Sequence, residues 1–214
     1  MTENNRVRTI KILRAVLIVL AGALLLTAAA IFIVQWSEGE AAARHAQALL
    51  NQSGIKAPPL PSVAEEPTAV QPSASPAATL SPEFQGYSVI ARLDIEAIDL
   101  HLPVLSETSD EALKVSACRL QGPEPGADGN LVITGHDYRS GAIFGRLSEL
   151  KSGDAVALTG ADGRTYAYTV YQTDHIKPDE AEKLDDTAYE RELSLLTCEN
   201  NGNGRLLLRC RLEE

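Results

Sequence analysis

The feature that most constrains this chain is a run of twenty residues without a charge, residues 15–34 (AVLIVLAGALLLTAAAIFIV). A helix needs about twenty apolar residues to cross the roughly 30 Å hydrocarbon core of a bilayer. The alternative is a cleaved signal peptide, whose apolar core is only about 7–15 residues long. This run is longer, and Trp36 follows it instead of a small-residue cleavage site. We therefore predict a retained transmembrane anchor at residues 15–36.

The charges on either side of the anchor predict its orientation. Residues 1–14 carry four basic side chains, and acidic side chains follow the anchor at Glu38 and Glu40. Because positive charge is retained on the cytoplasmic side, we expect a cytoplasmic N-terminus and an extracellular remainder at the cell membrane. The whole chain has a formal net charge of −10. This charge argues against nucleic acid as a partner, because nucleic-acid-binding proteins usually present a basic face.

Composition divides the chain beyond the anchor into a linker and a domain. Residues 37–83 begin with an alanine- and glutamate-rich stretch, predicted to be helical up to a cap at Gly54. Residues 57–82 then combine proline with Ala, Ser, Thr, Glu and Val without apolar periodicity, which predicts an extended tether. Residues 84–214 have the length of one folded domain, about 130 residues.

The domain is predicted to be mainly β. Short β-rich runs separated by turn-forming residues occur at 88–93, 100–105, 131–134, 155–159 and 166–172 and in two C-terminal segments. Short helical segments are expected at 111–114 and 143–150. Seven or eight short strands at this spacing are typical of a closed or half-closed β-barrel.

The C-terminal hairpin is the strongest candidate for chemistry. An apolar run (LSLLT) ends at Cys198, a polar turn at 200–204 reverses the chain, and the next strand begins with Arg205. Alternation predicts one polar face with Arg205 and Arg209 and one apolar face with Cys210. A thiol at the mouth of a hairpin, almost opposite a guanidinium, is expected to be exposed and reactive.

A reactive thiol needs a base, and four histidines are available. His45 lies in the linker, His101 lies within a strand, where a structural role is favoured, and His175 is expected to be exposed. His136 follows the strand LVIT through Gly135, and strand ends are where rigid scaffolds present reactive groups. A thiolate, an imidazolium and a cationic donor together form a nucleophilic site.

Arg205 has the charge and the position for the role of the cationic donor. The competing candidate is Arg209, on the same face but farther from the hairpin mouth, and an exposed structural arginine is the other interpretation of Arg205.

Several motifs in order resemble the sortases, membrane-anchored cysteine transpeptidases of mainly Gram-positive bacteria. They are Gly135-His136 after a strand, Thr197-Cys198 ending the next-to-last strand, and Gly204-Arg205 opening the last. IARLDI, LPVL and GAIFGRL, in that order upstream of the cysteine, are also similar to segments of the family. The resemblance covers nearly all of residues 84–214.

The resemblance implies a sortase-type eight-stranded β-barrel with His136, Cys198 and Arg205 as catalytic residues. Cys198 would cleave an LPxTG-like sorting signal of a secreted protein and form a thioacyl enzyme. An amine of a cell-wall precursor or of a pilin would then resolve the thioacyl enzyme. Thr197 matches the family's TLxTC motif and is implied in substrate binding, although LSLLTC departs conservatively from that motif. Neither a cofactor nor a metal ion is expected.

The subclass implied is class B- or D-like. The segment between the strand at 166–172 and the strand at Leu193 is too short for the long helical insertion of class B, although GHDY and FGRL are similar to that class. Four acidic side chains in this segment favour a solvated loop over a calcium site of the kind found in some class A enzymes: Glu180, Glu182, Asp185 and Asp186.

The other two cysteines, Cys118 and Cys210, leave two alternatives open. A disulfide between them would leave Cys198 as the free thiol. Cys210 also shares a strand face with leucines, so a pair of buried apolar thiols is equally consistent with the pattern.

Two alternatives to a sortase follow from the same residues. A papain-like peptidase would need its cysteine early, on a helix, and its histidine later, whereas this chain has the reverse order on strands. A tethered extracellular β-barrel that binds a partner without catalysis would make Cys198 merely structural.

Overall fold

A computed structural model describes residues 3–55, 83–84, 86–185, 187–199 and 202–213. The chain divides into two compact units, Met1–Glu38 and Gly39–Glu214. The predicted proline-rich tether lies outside the described residues.

Helix α1 spans Glu3–Ser53, and Gly54 follows it with φ 67°, as expected of a left-handed helix cap. The part of α1 within the first unit exposes large apolar side chains, with Leu24, Leu25 and Leu26 each at least 70% exposed. Among the described residues, Val16–Ser53 is the one helical stretch long and apolar enough to cross a membrane.

The second unit contains nine strands within its described residues. They are β1 (Glu83–Phe84), β2 (Tyr87–Ile95), β3 (Leu100–Leu105), β4 (Ala117–Gln121), β5 (Gly129–Gly135), β6 (Ala155–Gly160), β7 (Thr165–Ile176), β8 (Arg191–Glu199) and β9 (Gly204–Leu212).

Strands β2 to β9 form a closed barrel. The order in the sheet is β1-β2-β3-β4-β5-β8-β9-β7-β6, and β2 also pairs with β6, which closes the sheet on itself. The two-residue strand β1 is added to one side of β2. Two pairings are parallel, β3 with β4 and β5 with β8, and the others are antiparallel. The expected mainly β, eight-stranded barrel is confirmed.

Apart from the last part of α1, helical structure in the described residues of the second unit is limited to short segments. Helix α2 (Asp110–Leu113) is capped by the Ser109 hydroxyl, which accepts a hydrogen bond from Ala112 N at 3.1 Å. Single 3₁₀ turns occupy Glu96–Ile98, Leu147–Glu149 and Ala181–Leu184.

Two local predictions were wrong. Strand β4, which carries Cys118, was not anticipated. The segment 143–150 was expected to be a helix, but Ile143 adopts φ 51° and pairs with Asp137 as an isolated bridge. A β-branched residue in the left-handed region cannot continue an α-helix, so only the turn at Leu147–Glu149 is helical.

Strand β9 is buried on both faces rather than on one. Leu206, Leu208 and Cys210 face the main core, as predicted. Leu207 is fully buried and Arg209 is 5% exposed, although alternation predicted a polar face for them. Leu207 belongs to a second apolar cluster with Leu184, from the 3₁₀ turn Ala181–Leu184, and with residues of neighbouring strands. The expected polar face is therefore covered by a segment that precedes β8 in sequence.

Candidate active site

Parallel pairing of β5 with β8 brings two of the predicted site residues to one end of the barrel. Gly135, the last residue of β5, pairs with Thr197 of β8. His136 follows Gly135, and Cys198 follows Thr197. Because neighbouring strands lie about 4.8 Å apart, the imidazole and the thiol are carried by adjacent backbone segments.

Thr197 connects these two strands through its side chain. It is 3% exposed, and its Oγ1 donates a hydrogen bond to the carbonyl oxygen of Gly135 at 2.8 Å. The residue implied in substrate binding therefore has a partner within the protein, directly beside the His136 and Cys198 backbones.

Arg205 lies directly opposite Cys198 in the antiparallel pairing of β8 with β9. The half-buried side chain donates from Nη1 to the carbonyl oxygens of Gly202 at 3.0 Å and Gly204 at 2.9 Å. A guanidinium has five N–H donors in a rigid fork. Among the described residues, Nε and Nη2 have no protein acceptor, so they can donate to an oxygen bound near Cys198.

Arg209 is engaged elsewhere. It pairs with Ser194, four positions before Cys198, and is almost completely buried. Its Nε donates to Asp174 Oδ2 at 3.0 Å, and its Nη2 donates to the Lys183 carbonyl. These contacts join β9 to β7 and to the 3₁₀ turn before β8. Arg209 therefore has a structural role.

The three cysteines differ in accessibility, and no two of them form a disulfide. Cys118 is fully buried, and burial raises the pKa of its thiol to about 12. Cys210 is also fully buried, and burial again raises its pKa, with the nearby Glu192 carboxylate as a second cause. Cys198 is the one cysteine that is partly exposed. Of the two alternatives for Cys118 and Cys210, the structure shows buried thiols and not a disulfide.

His136 is half-buried, and this environment favours the neutral imidazole. Burial lowers its pKa below the ordinary 6.5, the nearby Asp110 carboxylate opposes this shift, and the Lys114 ammonium adds to it. A neutral imidazole can accept a proton from a thiol, which is the first requirement for activating Cys198.

The glycine before His136 is required by close packing. A Cβ on Gly135 would lie 2.8 Å from Ile143 Cγ2 and 2.9 Å from Phe144 Cδ2. Phe144 is buried, and its backbone N–H donates to the carbonyl oxygen of His136 at 3.0 Å. The loop after β5 therefore folds back on the strand and holds the His136 backbone in place.

Two neighbours of the site were not anticipated from the sequence. The ring of Tyr138 meets the His136 ring edge-on, with centroids 5.4 Å apart and planes at 69°. Glu199, next to Cys198, is hydrogen-bonded to His175, with 2.7 Å between Oε2 and Nδ1. Tyr138 follows His136 by only two residues in the sequence, whereas the contact between Glu199 and His175 depends on β7 reaching the same end of the barrel.

The remaining histidines have other surroundings. His101 lies 2.8 Å from Asp94 through Nδ1, in a cluster that also contains Arg92, so the structural interpretation fits its contacts. His45 is exposed on α1.

Within the described part of the chain, no group of three or more His, Cys, Asp or Glu side chains has a metal-binding arrangement. Of the four acidic residues considered for calcium, Asp186 lies outside the described residues.

Together these residue types have the chemistry that acyl transfer requires. A thiol beside a neutral imidazole can be deprotonated to attack a carbonyl carbon, and the resulting imidazolium can protonate the leaving group. A guanidinium opposite the thiol can stabilise the negative oxygen of the tetrahedral intermediate.

Comparison with known proteins gives a family match. The family model described as a sortase domain matches residues 93–213, which is more than half of the chain. The matched segment contains His136, Cys198 and Arg205.

Individual relatives agree with this match. Sortase A of Bacillus anthracis is 30% identical over 111 residues, which cover 51% of this chain and 52% of that protein. The solved structure of sortase A from Corynebacterium diphtheriae has a TM-score of 0.55 at 28% identity, covering 60% of this chain and 62% of that one. Clostridium perfringens sortase C, solved with the C-terminal cell wall sorting motif, has a TM-score of 0.54 at 27% identity, covering 59% and 71%. The chain spans about half the length of the curated relatives it matches.

Proposed function

The chain belongs to the sortase family, and from this membership we propose that it is a membrane-anchored cysteine transpeptidase acting on secreted proteins. Its substrate is a C-terminal sorting signal of the LPxTG type. The acceptor is an amine of a cell-wall precursor or of a pilin. The expected class B- or D-like subclass stays a prediction.

The first half of the reaction uses all three site residues. The Cys198 thiol transfers its proton to His136, and the thiolate attacks the carbonyl carbon of the Thr–Gly bond. Arg205 donates hydrogen bonds to the negative oxygen that forms. The C–N bond then breaks, His136 protonates the departing amine, and the threonine carbonyl is left as a thioester on Cys198.

The second half reverses the proton transfers. The acceptor amine attacks the thioester carbon and loses a proton to His136 as a base. The C–S bond breaks, and Cys198 leaves as a thiolate that regains a proton from His136. A new amide joins the substrate to the acceptor, and the enzyme returns to its starting state.

One observation carries this proposal: the register of three strands at a single end of the barrel. Gly135 pairs with Thr197, and Cys198 pairs with Arg205. These two strand pairings, with His136 directly after Gly135, support the assignment of the three residue types that thioester-forming acyl transfer requires.

The choice of substrate is supported by the sortase C relative that was solved with a cell wall sorting motif. The extracellular location of the barrel is supported by the apolar part of α1 and by the basic residues before it. The N-terminus is accordingly proposed to be cytoplasmic and the anchor single-pass.

The test is intact-protein mass spectrometry of the full chain in detergent micelles, mixed with a panel of LPxTG-like peptides. We expect a mass increase equal to the peptide up to its threonine, released by hydroxylamine and absent from Cys198→Ala. Absence of any adduct, together with a Cys198 that iodoacetamide does not label, would instead favour a binding module without catalysis.

A further inference from the structure

The membrane-proximal part of α1, residues 39–53, packs on the barrel within the second structural unit. We call this stretch the juxtamembrane segment. Its buried side chains recur every three or four residues and therefore share one helix face: Ala42, Ala46, Leu49 and Leu50. Ala42 and Ala46 belong to the main core, and Leu49 packs in a smaller cluster with Val89, Leu105, Ala112 and Cys118.

The segment begins with a close approach to the loop that follows His136. Gly39 is buried, and a Cβ there would overlap the Ser140 hydroxyl. The same Cβ would lie 2.9 Å from the Cβ of Ser140 and 3.2 Å from the Cβ of Tyr138. Real Cβ atoms essentially never approach other atoms to less than 3.0 Å, so a side chain at position 39 would require Ser140 to move.

The Tyr138 backbone is also held by contacts within its own loop. Gly141 N–H donates to the Tyr138 carbonyl oxygen at 2.8 Å. A Cβ on Gly145 would overlap that oxygen, so Gly145 also packs directly against it. Tyr138 is half-buried and packs on the main core. Its backbone and Cβ therefore contact both the juxtamembrane segment and the turn at 141–145.

The Tyr138 ring in turn contacts His136. The two rings meet edge to face, with a centroid separation of 5.4 Å and an interplanar angle of 69°. This is one of the preferred geometries for aromatic pairs, and it restricts the rotation of both rings. A continuous series of contacts thus runs from Gly39 through Tyr138 to His136.

We propose that Tyr138 is a positioning residue for His136, and that packing of the juxtamembrane segment at Gly39 sets the position of Tyr138. The inference rests on the proposed function, because it assigns His136 to proton transfer with Cys198. Removing the ring of Tyr138, or displacing it from residue 39, leaves the imidazole less well aimed at the thiol. Small misplacements of a reacting group reduce turnover more than substrate binding.

The first test compares Tyr138→Leu with Tyr138→Phe in the full chain in detergent micelles. Leucine removes the aromatic edge and should lower kcat about tenfold while KM changes by less than about twofold. Phenylalanine keeps the ring and should retain at least about half of the wild-type kcat. Equal activity of the leucine and phenylalanine variants would overturn the positioning role of the ring.

The second test uses compensation between Gly39 and Ser140. Gly39→Ala should lower kcat about tenfold, because the added methyl group displaces the loop that carries Tyr138. Combining it with Ser140→Gly removes the hydroxymethyl group that the methyl would overlap and should restore most of the activity. Ser140→Gly alone controls for the loss of that side chain. Gly22→Ala is the matched control in the same helix, since a Cβ there has nothing within 4 Å.

An NMR measurement separates alignment from catalysis. The His136 Cε1–H resonance should shift in Tyr138→Leu and Gly39→Ala, return toward the wild-type position in Gly39→Ala/Ser140→Gly, and stay unchanged in Gly22→Ala.

A wild-type chain that forms the thioacyl adduct, with unchanged kinetics and resonances in Gly39→Ala and Tyr138→Leu, would overturn the inference alone. A wild-type chain with no adduct and an inert Cys198 would overturn the proposed function and, with it, the positioning role.

Discussion

Thr197 donates a 2.8 Å hydrogen bond from Oγ1 to the carbonyl oxygen of Gly135, between the two parallel strands whose next residues are Cys198 and His136. Thr197 and Gly135 are both buried. The bond therefore fixes the two strands relative to each other one residue before the candidate nucleophile and the candidate base.

Replacing Thr197 with valine should weaken both stability and activity. Valine keeps the shape but loses the hydroxyl, so we expect the free energy of unfolding to fall by about 1 kcal/mol and kcat/KM to fall about tenfold. Urea unfolding and turnover of a sorting peptide would measure the two effects. Thr197→Ser should preserve both quantities. A valine variant with wild-type turnover would show that the bond has no part in aligning the site.

Iodoacetamide should label one of the three cysteines in the folded protein. Cys198 is partly exposed, whereas Cys118 and Cys210 are buried with raised pKa values and hold their protons. Peptide mass spectrometry should find the label on Cys198 under native conditions and on all three cysteines in urea. Native labelling of Cys118 or Cys210 would contradict this assignment of burial.

Substitution of Arg205 should lower activity, whereas substitution of Arg209 should lower stability. Arg205→Lys should lower kcat about 100-fold with little change in stability, because a compact ammonium does not reproduce the guanidinium fork. Arg209→Lys should cost about 2 kcal/mol of stability through weakened contacts with Asp174 and Lys183. Parallel urea unfolding and peptide turnover would separate the effects. A folded but inactive Arg209→Lys beside a fully active Arg205→Lys would reverse the assignment.

The pKa of His136 should reflect three causes, namely burial and the charges of Asp110 and Lys114. Burial is the largest cause of the lowered pKa, so the wild-type value should fall below 6.5. Lys114→Gln removes a charge that lowers the pKa and should raise it in part. Asp110→Asn removes a charge that raises the pKa and should lower it further. NMR titration of the ring Cε1–H would measure all three. A change of the opposite sign in either variant would contradict the assigned neighbours.

The lowered pKa of His136 also predicts how pH affects the stability of the fold. The native His136 has a lower pKa than in the unfolded chain, so the unfolded chain binds the proton first as pH falls. The contribution of His136 to the free energy of unfolding should therefore decrease as pH falls through 6.5 toward the native pKa. His136→Gln should flatten the urea-derived stability between about pH 7.5 and pH 5. An unchanged slope in this variant would show that other groups dominate in that range.

The hairpin of β8 and β9 could be predicted from local sequence. Its polar turn and alternating pattern place Cys198 opposite Arg205 without any distant contact. The segment 143–150 could not be predicted in the same way. Its apolar spacing fits a helix, but packing of Ile143 and Phe144 against Gly135 holds the chain in an irregular loop. Tertiary contacts with β5 therefore outweighed local helical preference.

What the sequence by itself determined is local and compositional. It includes the long apolar N-terminal helix, the mainly β barrel and the hairpin with Cys198 and Arg205, and the resemblance adds His136 as a candidate. Tertiary structure decided which distant segments meet: β5 beside β8, a covered second face of β9, and Gly39 against the loop after His136. Periodicity records which side of a strand or helix is buried. It does not indicate which segment packs against that side, because many segments could pack against the same apolar pattern. The closed barrel determines which segment does so.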